Sequence, residues 1–262
     1  MLIPKKIIDN IDIAITKFLN KILQIQSGLL QQAAKSGMVQ KKIMQSLICP
    51  PLNDLVVGLH KRYEVANRLG IEIVDTDTMG RITADIIKNA STWVDFASGR
   101  GEFSLALIQR NCMLNIWNFE KRPDYVEVAN NDRKLLSPEE SIRIRNIIGK
   151  IEAVARGQYA SDGILQNSMD VVSLHCYEPG KISGQDAVNA MDYVLKSGGH
   201  AIITLDSEVD NYKKFLKYLK KRFSKVMVGN HPAEYPQTSY TFALWHRHHE
   251  FPGVPPFICI EK

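Results

Sequence analysis

Cysteine is scarce in this chain of 262 residues, and what there is excludes two classes of scaffold. Cys49, Cys112, Cys176 and Cys259 are scattered, with no Cys-x-x-Cys spacing. That argues against a zinc site or a disulfide framework and for a reducing compartment. No apolar run approaches the ~18 residues that would suggest a membrane span. Met1 to Asn10 carries lysines but neither a secretory apolar region nor a small-residue cleavage site, so the expected location is the cytoplasm, or the host cytoplasm if the protein is viral. Internal repeats and low-complexity segments are also lacking. The excess of basic over acidic residues is small, 33 Lys and Arg against 28 Asp and Glu, for a net charge of +5. It favours an anionic partner without identifying one.

What is present divides into two parts. Residues 1–75 read as a helical N-terminal extension. Ile11, Ala14, Ile15, Phe18, Leu19, Ile22 and Leu23 follow helical spacing, Gly37 and the Pro50-Pro51 pair interrupt it, and Leu52 to Leu69 form another helix ending at Gly70. Amphipathic helices usually just bury their apolar face, so a small bundle packed on the main domain is the plain expectation. A surface for a protein partner or for RNA is the sharper one. Residues 76–262 alternate helix and strand. Strands are expected at Thr92–Phe96, Leu114–Phe119, Ile142–Ile148, Met169–Leu174, His200–Leu205, Lys225–Val228 and Tyr240–Trp245. Helices are expected at Ile82–Asn89, Glu102–Gln109, Gln185–Leu195 and Asn211–Phe223. The alternation predicts an α/β fold with a mostly parallel sheet and ligands at the C-terminal strand ends.

The most informative stretch runs from Trp93 through Asp95, Ser98, Gly99 and Gly101 to Ser104. A buried strand enters a glycine turn that opens directly into a helix. Glycines allow close backbone approach to a ligand, and the helix start offers free N–H groups. That context fits a dinucleotide or an S-adenosylmethionine equally. The stretch resembles motif I of class I S-adenosylmethionine-dependent methyltransferases, nearest to the Gly-Arg-Gly form of FtsJ-like and flavivirus-type RNA cap methyltransferases. The resemblance spans about Met79 to Arg247. It implies a Rossmann-like methyltransferase fold, a seven-stranded sheet with the last strand antiparallel, and S-adenosylmethionine as cofactor. Asp95, Ser98, Gly99 and Gly101 would then surround its methionine part and Glu120 would accept from its ribose hydroxyls. A plainer role for Glu120 is a surface pair with Lys121 or Arg122. Asp170, in Met169-Asp170-Val171-Val172, falls in the stretch similar to motif IV and joins the expected cofactor residues. No metal is implied.

The FtsJ-like enzymes use a Lys-Asp-Lys-Glu tetrad to activate a ribose 2′-hydroxyl. Here the four positions fall at Arg81, His175, Thr204 and Tyr240, and none matches. Threonine cannot replace a lysine as base or cation, and arginine stays protonated. Arg81, His175 and Tyr240 remain the candidate catalytic residues. Three readings stay open. One is an RNA methyltransferase of different chemistry, with a viral or cellular cap among its substrates. The second is an inactive relative that binds RNA or protein. The third is an enzyme for a small molecule or a protein. Lys217, Lys220 and Lys221, on the basic helix Asn211–Phe223, are the expected phosphate contacts, although such a helix is as often merely solvated. His246 and His248 lack regular metal spacing.

Overall fold

The computed structural model describes residues 62–177, 182–205, 209–229, 232, 235–236 and 257–262. Residues 62–68 are helical and end in a turn at Leu69-Gly70. The strands are β1 (Glu72–Ile73), β2 (Thr92–Phe96), β3 (Asn115–Glu120), β4 (Ile144–Ile148), β5 (Met169–Tyr177), β6 (Leu195–Leu205), β7 (Lys225–Gly229) and β8 (Phe257–Glu261). The helices are α1 (Thr76–Asn89), α2 (Glu102–Ile108), α3 (Pro123–Arg133), α4 (Pro138–Ser141), α5 (Gly184–Val194) and α6 (Val209–Arg222).

One sheet contains all eight strands in the order β1-β7-β8-β6-β5-β2-β3-β4. Every neighbouring pair is parallel except β6–β8 and β7–β8, so β8 alone runs against the rest. This is the Rossmann-like arrangement expected, with one correction. The sheet has eight strands rather than seven, because Glu72–Ile73 adds a short edge beside Met227–Val228. That edge lies upstream of the expected boundary at residue 76, and Ala66 is already in the core. The antiparallel strand is Phe257–Glu261; the expected last strand, Tyr240–Trp245, lies outside the described residues, as do the helices expected before residue 62.

The central strands read as apolar runs because both faces are covered. On one face Val94, Phe96, Val172, Leu174, Ala201 and Ile203 pack against α5, α6 and the helical residues 62–68. On the other, Trp93, Val171, Ile202, Met227 and Cys259 pack against α1 and α2. Asp75 starts α1 by accepting the Thr78 backbone N–H at 2.8 Å, which leaves the helix beginning directly after β1. A polar chain ties the second face together: Ser104 donates to Asn118, Asn118 to Asn146 at 2.8 Å, and Asn146 to Asn130 at 2.9 Å. It links α2, β3, β4 and α3. No helix among the described residues is long and apolar enough to cross a membrane.

The strand order reverses between β2 and β5. The chain leaves β2 towards β3 and β4, then returns on the other side with β5 and β6, which opens a crevice at the C-terminal ends of β2 and β5. The closing strand is a structural commitment that can be tested. Phe257 is fully buried and lies opposite Thr204 and Gly229. Phe257→Ala is expected to cost about 3–5 kcal/mol, measured by urea unfolding. An unchanged midpoint would show that another segment completes the sheet.

Candidate functional site

The loop after β2 approaches the crevice in an unusual backbone. Ala97, Gly99 and Gly101 have φ of +55°, +58° and +74°. Left-handed alanine costs roughly 1–2 kcal/mol, and such strain persists where the surroundings impose it. The two glycines do different work. A Cβ on Gly99 would meet nothing within 4 Å, so the loop there faces open space. A Cβ on Gly101 would come within 3.0 Å of Asn118 Nδ2 and 3.2 Å of Ala129 Cβ. Gly101 therefore lets the start of α2 close onto β3 and α3, whereas Gly99 leaves room for something else. Ser98 holds the turn, its N–H donating to Phe119 O at 3.3 Å and its carbonyl accepting from Gly101 at 3.0 Å.

Glu120 ends β3 beside this loop and is buried. One carboxylate oxygen accepts the Gly99 N–H at 3.1 Å and the other the Arg122 N–H at 3.0 Å. Of the plainer expectation, a surface pair with Lys121 or Arg122, the contact present is the Arg122 backbone N–H rather than its side chain. That guanidinium pairs with Asp124 at 2.5 Å and covers the Tyr125 ring at 3.8 Å. Asp95, opposite Ser173 in the β2–β5 ladder, accepts the Ser173 hydroxyl at 2.6 Å, and Ser173 in turn accepts the Trp93 indole N–H at 2.8 Å. Burial raises the Asp95 carboxyl to about 7, with the Ser173 hydrogen bond pulling it down and the charge of Glu120 pushing it further up. Asp95, Asn118, Glu120, Ser173 and His175 share one sheet face, by strand alternation and register.

His175 stands two residues beyond Ser173 on that face. Its Nδ1 lies 3.5 Å from Thr204 Oγ1 and its Nε2 lies 3.3 Å from the Tyr235 hydroxyl. Its ring meets Phe103 edge-on, with centroids 4.3 Å apart. Two of the positions expected to align with the tetrad, His175 and Thr204, are thus neighbours. Tyr240 lies outside the described residues; among the described residues Tyr235 meets His175. Sequence reasoning passed over Tyr235, although the prolines flanking it at Pro232 and Pro236 mark a loop that could carry a fixed side chain. Arg81 is exposed on α1 and donates to Thr78 Oγ1 at 3.1 Å; no contact joins it to His175 among the described residues.

Asp170 does not belong to the crevice. It sits at the start of β5, opposite the C-terminal strand ends. There it accepts from Ser91 N and Oγ, from Thr92 N and Oγ1, and from Lys196 Nζ at 2.7 Å. Burial alone would raise its carboxyl, but these donors outweigh that and hold it well below the usual carboxylate range. The motif placed it correctly in the strand, but at the wrong end for a ligand; it clamps β2, β5 and β6 at their entry.

The basic helix is only partly available. Lys217 and Lys221 are exposed, but the Lys220 ammonium donates to the Leu69 carbonyl, closing the end of the helical residues 62–68. Arg222 pairs with Asp192 at 2.5 Å. Helix α6 starts after the C-terminal end of β6 and finishes just before β7 begins, so Lys220 and Lys221 lie at the far end of the sheet from the crevice. Among the described residues no group of three or more His, Cys, Asp or Glu is placed to hold a metal, and Cys112 and Cys259 are free thiols. His246 and His248 lie outside the described residues.

Two outcomes follow from the loop and from Asp95. Gly99→Ala is expected to cost about 1 kcal/mol, for the left-handed backbone alone, whereas Gly101→Ala adds overpacking and costs about 2–4 kcal/mol. Equal losses in denaturant unfolding would contradict the division of roles. For Asp95, the folded value is raised above the unfolded one, so the folded state holds the proton more tightly and loses stability as pH rises from about 4 to about 7. Asp95→Asn removes that loss. Its melting temperature should exceed that of the wild type at pH 8, with the gap shrinking towards pH 5; the opposite trend would show that the carboxylate is stabilised in place.

No protein-family model matches the chain, and no curated protein does. Among solved structures it is similar to a predicted O-methyltransferase, protein Atu636 of Agrobacterium tumefaciens, at 16% identity over 68% of this chain and 78% of that one, with a TM-score of 0.49. It is similar to the Methanococcus jannaschii fibrillarin pre-rRNA processing protein at 13% identity, over 67% of each chain, with a TM-score of 0.49. A third is the precorrin-6y C5,15-methyltransferase of Geobacter metallireducens, at 15% identity over 70% of this chain and 86% of that one, with a TM-score of 0.46. The Rossmann-like assignment rests on this chain's own strand order.

Proposed function

We propose that the chain is an S-adenosylmethionine-dependent methyltransferase whose cofactor occupies the crevice between the Ala97–Gly101 loop and Glu120. The observation that carries this reading is Glu120 at the end of β3, its carboxylate against the Gly99 N–H, beside a loop position where an added Cβ would meet no protein atom. A carboxylate can accept both hydroxyls of a ribose. Asp95 and Glu120 put two acids in the same crevice, close enough for one to raise the other. A ligand with a sulfonium and an ammonium group would relieve that repulsion. The fit is therefore one of charge, of hydrogen-bonding type and of space.

RNA is the proposed substrate class, a cap structure included. Support comes from the motif I resemblance and from the exposed lysines of α6, Lys213 and Lys214 near its crevice end and Lys217 beyond them. With Thr204 in place of a lysine, the transfer proposed is to a nucleophile that already carries a lone pair, such as a ring nitrogen, where positioning suffices. A second reading, a methyltransferase-like protein that binds RNA or a protein without transferring methyl, is favoured by that same threonine.

Calorimetry with S-adenosylmethionine tests the cofactor. Binding is expected, with affinity falling as pH drops below about 7 and Asp95 takes up a proton, and Gly99→Leu should abolish it. Absence of heat with both the cofactor and its demethylated product would sink the site assignment. Capped and uncapped RNA incubated with labelled cofactor and digested to nucleosides then reports the target. Base methylation is expected; robust 2′-O-methylation would refute the chemistry proposed, and no transfer would favour the binding protein.

A further inference from the structure

The Tyr235 hydroxyl touches His175, and its surroundings define what that histidine can do. The Tyr235 side chain is buried against Phe103 and Phe257, with ring centroids 5.4 and 5.1 Å away. Burial, and then the nearby charge of Asp95, holds its phenol well above the ordinary tyrosine range, so it keeps its proton at any working pH. A buried O–H needs an acceptor, and the Nε2 of His175 lies 3.3 Å from it. On the other side of the ring, Thr204 Oγ1 lies 3.5 Å from Nδ1 and is itself fully buried. Of these four side chains, Phe103, His175, Thr204 and Tyr235, only His175 is not buried. It is the member of the cluster that an acceptor in the crevice can reach.

We infer that Tyr235 is a positioning residue that donates to His175 Nε2, so that the imidazole carries its own proton on Nδ1, towards Thr204, and serves as a fixed wall of the acceptor site rather than as a base. The inference rests on the reading of the crevice as a methyl-transfer site and narrows its substrate. With both ring nitrogens engaged, the histidine has no lone pair to take a proton from a hydroxyl. The group methylated is then a nucleophile that needs no deprotonation for attack, such as the ring nitrogen of a heterocycle. The sulfonium carbon–sulfur bond breaks as the new nitrogen–carbon bond forms from the nitrogen lone pair, the sulfur keeps the bonding electrons, and the acceptor becomes cationic unless it later loses a proton to water. Phe103, at 4.3 Å, holds the other edge of the imidazole and adds no titratable group.

Long-range proton–nitrogen correlation of ¹⁵N-histidine-labelled full-length protein at pH 8 reads the tautomer directly, with the His175 signal assigned by its absence in His175→Gln. The expected result is a single Nδ1–H pattern in the wild type. In Tyr235→Phe, which keeps the ring and removes only the hydroxyl, that pattern is lost to a mixture, while calorimetric binding of S-adenosylmethionine is unchanged. An Nε2–H pattern or an imidazolium in the wild type overturns the inference, as does an unaltered spectrum in Tyr235→Phe. Should Tyr235→Phe fail to fold, the wild-type spectrum still decides. Loss of cofactor binding in the wild type would defeat the methyltransferase reading, whereas the tautomer would still report on Tyr235.

Discussion

Asp95 and Ser173 face each other across the β2–β5 ladder, at the point where the strand order turns back on itself. That pairing sets the rest of the crevice. It places the end of β2 next to the end of β5, so the left-handed Ala97–Gly101 turn and His175 open on the same space. It also buries a carboxylate that accepts the Ser173 hydroxyl, and that burial is why Asp95 stays half-protonated near neutrality instead of ionising freely. Next along the sheet, the β2–β3 register aligns Asp95 with Asn118 and brings Glu120 to the Gly99 amide. The acidic character of the crevice is therefore a consequence of strand register, not of surface charge, and it stands inside a chain whose net charge is basic.

The fold was legible where local and global signals agree. Thr92–Phe96 appears with the bounds expected, because Trp93, Val94 and Phe96 make a short, mostly apolar buried run ended by a glycine turn. Three strands run past their expected ends, since hydrogen bonding continues past the last apolar residue: β3 to Glu120, β5 to Tyr177 and β7 to Gly229, whereas β4 begins two residues later and β6 five residues earlier than expected. Helix α3 was not legible. Its helical period is weak, with only Val126 and Ala129 buried, and it is announced mainly by Pro123 at its start. Strand β8 escaped because Phe257-Ile258-Cys259-Ile260 is short and follows a proline-rich stretch, and an antiparallel insertion between β6 and β7 leaves no local mark.

The site was legible in part, for the same reasons. Motif I and Glu120 are read from adjacency in sequence, and the geometry brings them together. Asp170 shows the limit of a motif that names a strand without its direction: one turn of reasoning about which end carries ligands separates it from Asp95. Tyr235 shows the other limit. Its partner His175 is 60 residues away in the chain, and nothing in the composition of either segment announces the contact. The paired replacement, His175 beside Thr204 where the resembled family has aspartate beside lysine, becomes interpretable only once both are seen to touch. The two side chains lie 3.5 Å apart, Thr204 Oγ1 against His175 Nδ1.

The central claim is that the crevice between the Ala97–Gly101 loop and Glu120 holds S-adenosylmethionine. A crystal structure of the protein grown with S-adenosylmethionine or its demethylated product measures this most directly. The account predicts the ribose hydroxyls on the Glu120 carboxylate, the methionine end beside Ser98 and Asp95, and the sulfur on the side of the crevice where His175 is half-buried. Density for the cofactor elsewhere on the sheet, or a crevice that stays closed by Glu120 and Gly99 at saturating cofactor, would contradict it.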